Sequence, residues 1–269
     1  MKKRFILLID VKEESKTLLR FAGNWAGRVD AELLIIQQVY SMAPGIGEGE
    51  IRSKIKRHER EKALTELTDF VANELDTSVT VRFYVTTGSL EIAIHKLHTS
   101  QMLDIIFVGM KNKSWLERLF FQSTAIRLYQ EVKKPIVVLP LDCESNDFDC
   151  VQIAVTPRFP VNEEALRQVL SVTAAFGKKV ILFSVLKPHE SDEEVTVYLN
   201  LLLQIFPEYA LSYEIVRNED VVRGITKQIE TGNGLLIVQK GSREFSDYFR
   251  SYIVEDLIQL SKAPVVILP

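Results

Sequence analysis

Short, uninterrupted apolar runs alternate along this chain with stretches in which apolar residues recur every three or four positions. Phe5–Ile9 is apolar throughout, the mark of a strand buried on both faces of a sheet. From Glu13 to Ala26 the apolar positions are Leu18, Leu19, Ala22 and Trp25, which share one side of a helix. The alternation continues through a strand at Glu32–Ile36, a polar loop from Ser41 to Glu50, and a long amphipathic helix from Ile51 to Asn73. Val79–Val85 alternates as a more exposed strand does, and Leu90–Leu97 reads as a short helix with Ser89 as its N-cap. Asp104–Val108 is a buried strand ending at Gly109, Trp115–Gln130 a helix, and Pro135–Leu139 a last strand.

The pattern then starts again. Lys133-Lys-Pro-Ile-Val-Val-Leu-Pro140 reappears as Lys262-Ala-Pro-Val-Val-Ile-Leu-Pro269, with Pro135 and Pro264 displaced by 129 positions. The same displacement matches Phe120 with Phe249, Leu128 with Leu257, and Phe107-Val108 with Leu236-Ile237. The second set of strands is predicted at Val151–Val155, Val180–Val185, Leu211–Val216, Leu235–Val238 and Pro264–Leu268. Helices are predicted between them at Glu163–Ala175, Asp192–Ile205, Asp220–Glu230 and Phe245–Leu260. Strand and helix alternating in this way predict two tandem five-stranded parallel-sheet α/β/α sandwich domains, built from right-handed crossovers. The domains are expected at residues 1–140 and 151–269, joined by a polar, acidic linker over 141–150.

Composition narrows the function classes. The chain has 269 residues, 46% hydrophobic and 26% charged, enough for real cores. Its 33 basic and 36 acidic residues leave a net charge of −3, which is no footprint for nucleic acid. The basic run Arg52–Arg60 opens the long helix and reads as a solvated face, with an anionic partner as the alternative. The apolar run after Met1-Lys-Lys-Arg4 stops at Asp10, too short for a signal segment or a membrane span, so a cytoplasmic protein that binds neither nucleic acid nor membrane is expected. Cys143 and Cys150 form no C-x-x-C pair and read as linker thiols. His95 and His98 share a helix face without a third metal ligand in view, so no metal site is expected.

In an open parallel sheet, ligands bind beyond the carboxyl ends of the strands, where the strand order reverses. In the first half those ends carry Asp10 and Gly109, and in the second Thr156 and Val238. The order of elements, Asp10 after the first strand, and the segment from Val108 to Leu139 resemble the universal stress protein family, once per half. The resemblance implies an adenine nucleotide alpha hydrolase-like fold with strand order 3-2-1-4-5. Nucleotide-binding members carry G-x-x-G-x9-G-[ST] after the fourth strand, where glycines let backbone N–H groups reach phosphates. On this chain the pattern falls on Gly109, Asn112, Gln122 and Ser123, then on Val238, Gly241, Ser251 and Tyr252. The first half keeps Gly109 and Ser123, with Asn112 able to hold the turn, while the second keeps Gly241 alone. Gly88, in the loop that the family places near ribose and phosphates, becomes Arg217 under the 129-position displacement.

Asp10, Gly88, Gly109, Asn112 and Ser123 are therefore the candidate nucleotide-binding residues, and ATP or AMP in the N-terminal half is the one cofactor to consider. No catalytic constellation is legible. The expected function is stress response through an unknown protein partner, without catalysis. An ATP or AMP sensor using only the first half is the alternative, and a small-molecule hydrolase or transferase on the same scaffold a remote one. The apolar last strands of the two halves are expected to meet as an internal pseudo-dimer, with a homodimer also compatible with such edges.

Overall fold

The computed structural model describes residues 1–40, 49–75, 78–99, 101–109, 133–140, 143, 148–173, 176, 179–230, 234–240 and 263–269. The predicted helices Trp115–Gln130 and Phe245–Leu260 lie outside them, as do Asn112, Gln122, Ser123, Gly241, Ser251 and Tyr252. The chain divides into two compact units, Met1–Lys134 and Pro135–Pro269. No helix among the described residues is long and apolar enough to cross a membrane.

The first unit holds strands β1 (Lys2–Leu8), β2 (Ala31–Gln38), β3 (Val81–Thr86) and β4 (Met102–Gly109), in the spatial order β3-β2-β1-β4. All are parallel, with Leu8 opposite both Ile36 and Val108. Helices α1 (Ser15–Val29), α2 (Gly49–Ala72) and α3 (Leu90–Leu97) connect them. Residues 12–14 form a turn (the Ser15 N–H bonds Lys12 O at 3.0 Å), so α1 starts later than periodicity alone suggests. It ends at Asp30, whose φ of 52° is a left-handed conformation that aspartate tolerates. The core under α1 is aromatic. Phe107 lies 4.7 Å from Phe5 and 5.4 Å from Trp25 between ring centres, and all three are buried.

At the amino ends of the strands, on the face of the sheet away from α1, lies a buried ion pair. The Arg4 guanidinium donates from Nε to Asp104 Oδ1 at 2.8 Å and from Nη2 to Asp104 Oδ2 at 3.1 Å. Its Nη2 also donates to Leu97 O at 2.8 Å, tying down the end of α3. His98 Nδ1 lies 3.1 Å from Asp104 Oδ2, so this histidine is part of a network and not merely a surface residue.

The second unit holds β5 (Ile136–Leu139), β6 (Cys150–Ala154), β7 (Lys179–Leu186), β8 (Leu211–Arg217), β9 (Gly234–Gln239) and β10 (Val265–Leu268). Their spatial order is β5-β10-β9-β6-β7-β8. From β10 to β8 this is the order 3-2-1-4-5 read backwards, and every neighbouring pair there is parallel. β5 runs antiparallel to β10, with Val137 opposite Val266. The division of the chain falls just before β5, at Pro135, whereas the sequence repeat counts this strand as the last of the first half. Both strands start one residue after a proline, which has no N–H to give the ladder. Helices α4 (Glu163–Thr173), α5 (Glu193–Ile205) and α6 (Val221–Glu230) complete the unit.

Counting back from the strand ends, the register pair corresponding to Arg4 and Asp104 is Cys150 and Gly234. A Cβ on Gly234 would stand 3.2 Å from Cys150 Sγ, so a thiol beside a glycine fills the space that an ion pair fills in the first unit. Cys143 and Cys150 are both buried, and burial, seconded by Asp149, pushes the Cys150 thiol above its ordinary pKa.

Gly224 is fixed by close approach to a stiff side chain. A Cβ on Gly224 in α6 would lie 2.6 Å from Val185 Cγ1 and 3.1 Å from Asn218 Cβ. Gly224→Ala is expected to cost about 1–3 kcal/mol of overpacking, offset by the roughly 1 kcal/mol of helix propensity that alanine brings. A lower midpoint in urea unfolding checks this.

Candidate functional site

The carboxyl ends of the first unit's strands bring the candidate residues into one row. Gly88 follows β3, Gln38 ends β2, Asp10 follows β1, and Gly109 ends β4. The row is held by backbone bonds from Ile9 N to Ile36 O (3.2 Å) and from Val39 N to Thr86 O (2.8 Å). Asn112 and Ser123, predicted to complete the site, lie outside the described residues.

Gly88 is already engaged on both sides. Its N–H donates to Thr86 Oγ1 at 3.0 Å, and its carbonyl accepts from Gln38 Nε2 at 2.9 Å. Ser89 caps α3 as the sequence predicts, its Oγ accepting the Ile92 N–H at 3.4 Å. Neither Gly88 nor Gly109 has a positive φ. A Cβ on Gly109 would meet Leu18 of α1 at an ordinary 3.6 Å. Backbone strain therefore gives neither position a need for glycine.

Two polar atoms at this end stand out. Among the described residues, Ser15 Oγ, on a fully buried residue at the start of α1, has no hydrogen-bond partner, and neither has the shielded Gln37 Oε1. By strand alternation Gln37 shares a face with Leu33 and Ile35, and Leu33 is level with Phe5, which packs on Trp25 of α1. Ser15 and Gln37 thus both lie on the α1 side of the sheet, at its carboxyl end. Buried polar groups normally find partners, so this pair marks a place with hydrogen-bonding capacity to spare. Sequence reading passed over Ser15, Gln37 and Gln38. The available signal was two consecutive glutamines closing an otherwise apolar strand.

The second unit treats the same place differently. Gln239, at the end of β9, accepts the Asn162 N–H at 2.7 Å through Oε1 and donates through Nε2 to Pro269 O at 2.8 Å. Tyr198 of α5 accepts the Val161 N–H at 2.9 Å through its hydroxyl. Burial raises the pKa of that hydroxyl, while the bond from Val161 pulls the other way. Asn162 in turn caps α4, its Oδ1 accepting the Ala165 N–H at 3.0 Å. The loop after β6 is pinned further by a bridge between Thr156 and Phe159. Arg217, which replaces Gly88, donates to Lys187 O at 3.1 Å and Glu190 O at 2.6 Å, holding the loop between β7 and α5. The donors at the start of α4 that could meet an anion are thus taken by the unit's own side chains.

Comparison with known proteins agrees with this geometry. Among curated proteins, none matches the chain by sequence. Solved structures match over nearly the whole length. A universal stress protein from Archaeoglobus fulgidus superposes with a TM-score of 0.62 at 16% identity, covering 98% of this chain and 95% of its own. A putative universal stress protein from Pseudomonas aeruginosa gives 0.59 at 11% identity, with coverage of 100% and 93%. The cytoplasmic domain of a prokaryotic cation chloride cotransporter also gives 0.59, at 9% identity, with coverage of 99% and 95%. At such identities the likeness is one of fold. The model of the universal stress protein family matches residues 1–140, more than half of the chain. With that match, and with the strand order described above, this chain belongs to the universal stress protein family.

Proposed function

We propose that this protein serves a stress response by binding a protein partner, without catalysing a reaction, and that any adenine nucleotide it takes is confined to the first unit. The observation that carries this reading is the contrast between the two carboxyl ends. In the second unit, Gln239, Tyr198 and Arg217 spend their hydrogen bonds closing the loops that would otherwise face a ligand. In the first unit, the Gly88 N–H is also spent, on Thr86. The family's glycine pattern is incomplete there as well, with Gln122 in place of a glycine. Both departures weaken a phosphate cradle.

A second reading is favoured by Ser15 Oγ and Gln37 Oε1, which have no partners among the described residues, at the end where Asp10 and Gly109 stand. On that reading the first unit is an ATP or AMP sensor. Ligand that binds only the folded state stabilises it by about 2.7 kcal/mol at a hundredfold excess over Kd. For a chain of this size that is a rise in Tm of roughly 5–10 °C. Melting with millimolar ATP–magnesium separates the two readings. The partner-binding reading expects a shift below about 1 °C. The sensor reading expects the larger shift, lost in Gly109→Val and kept in Gln239→Ala.

A further inference from the structure

Half of the exposed large apolar side chains among the described residues lie on just two helices, Ile51 and Leu64 on α2 and Val197 and Leu201 on α5. The two helices hold the same place in the repeat, between the second and third strands of their halves. Val197 is 70% exposed and Leu201 48%. They belong to an outward stripe of α5, formed by Glu194, Val197, Leu201 and Gln204, all exposed and spaced by three and four residues. The inward face of α5 is the separate set Val195, Leu199 and Leu202, all buried. A helix with one apolar seam against its own sheet and a second facing outward is built to meet another helix.

Charge says which kind of helix. From Glu190 to Glu208 there is no lysine or arginine, and five acidic residues. Among the described residues no cation pairs with Glu193 or Glu194, the two carboxylates that open α5. The first half of α2 is the converse, with six cations from Arg52 to Lys62 against Glu50, Glu59 and Glu61. Arg57, Arg60 and Leu64 are exposed and spaced by three and four residues, so they form one outward stripe. Arg57 bonds Glu61 at 2.8 Å, while Arg60 has no ion-pair partner among the described residues.

We infer that α5 of one copy of this chain docks on α2 of a second copy, with Val197 and Leu201 against Leu64, and Glu193 and Glu194 facing Arg57 and Arg60. The two faces differ, so the contact is heterologous, and copies assemble head to tail unless the contact is made reciprocally. A single pair of helices buries less than the roughly 1,200 Å² of a stable interface, so association is transient. Its charges make it weaken as salt rises. The inference stands apart from the nucleotide question, which the melting experiment decides separately.

Sedimentation velocity on the full chain tests it, over a concentration series reaching about 10⁻⁴ M. The wild-type mass should rise with concentration at low salt and fall back as salt is added. Reversing charge on α5 (Glu193→Lys with Glu194→Lys), or on α2 (Arg57→Glu with Arg60→Glu), should weaken association at least about tenfold. All four changes in one chain should restore it. Because Glu193 and Glu194 lie in the first turn of α5, a neutral pair, Val197→Gln with Leu201→Gln, provides an independent arm and should also weaken it. A single-chain mass at every concentration would overturn the inference. So would a four-residue variant no tighter than either reversed pair, the result expected if the two faces serve different outside partners.

Discussion

Asp104→Ala should lower stability by about 3–5 kcal/mol, the usual cost of removing one partner from a buried ion pair. Asp104 is 1% exposed and Arg4 7%, so the guanidinium left behind could not turn to water without breaking its bond to Leu97 O. His98 would lose its carboxylate neighbour at the same time. Many domains have only about 5–15 kcal/mol in all, so the variant is expected to melt many degrees lower or to accumulate as aggregate. Denaturant unfolding measures the loss directly. The second unit suggests how to recover it, since Cys150 and Gly234 occupy the corresponding pair of positions without charge. Arg4→Met combined with Asp104→Leu should therefore be much closer to wild type than Asp104→Ala is. A double variant as unstable as the single one would show that the pair holds the corner through more than mutual neutralisation.

The second large effect is expected where β5 meets β10. Val137 is 1% exposed and Val266 0%, and the two stand opposite each other in the antiparallel pair. Val137→Asp with Val266→Asp would put two like charges side by side in an apolar layer. Each unpaired carboxylate there costs several kcal/mol, and direct opposition adds repulsion. The double variant should lose cooperative unfolding or precipitate on expression. Val137→Ile with Val266→Ile keeps the apolar character and should remain folded, perturbed only by added volume. Comparing soluble yield and circular-dichroism melts for the two double variants checks both statements. A soluble aspartate variant with a wild-type melt would mean that this strand pair contributes little.

Strands were the most legible part of the sequence, because a strand buried on both faces leaves an unbroken apolar run that few other environments produce. Phe5–Ile9 and Leu235–Val238 found β1 and β9 within a few residues. Helix ends were harder. Ser89 announced α3 through its hydroxyl, but α1 begins after a turn at residues 12–14 that carries no glycine or proline to reveal it. The site was legible only in outline. Strand-end positions such as Asp10 and Gly109 follow from topology once the parallel order is accepted. The closure of the second unit does not, because it depends on Gln239 finding Asn162 and Pro269. Pairings so distant along the chain leave no local pattern. The network of Arg4, Asp104 and His98 was hidden for the same reason, since a charged residue inside an apolar strand reads as an interruption until its partner is located.

The membership of β5 bears on how this chain can be divided. A fragment that starts at Cys150, where the second repeat begins, would leave the backbone amides and carbonyls along one flank of β10 bare, a template for fibrous self-assembly. One that starts at Pro135 keeps that flank of β10 covered by β5. A C-terminal piece must therefore keep residues 135–139 to shield that flank, although the repeat counts them with the first half.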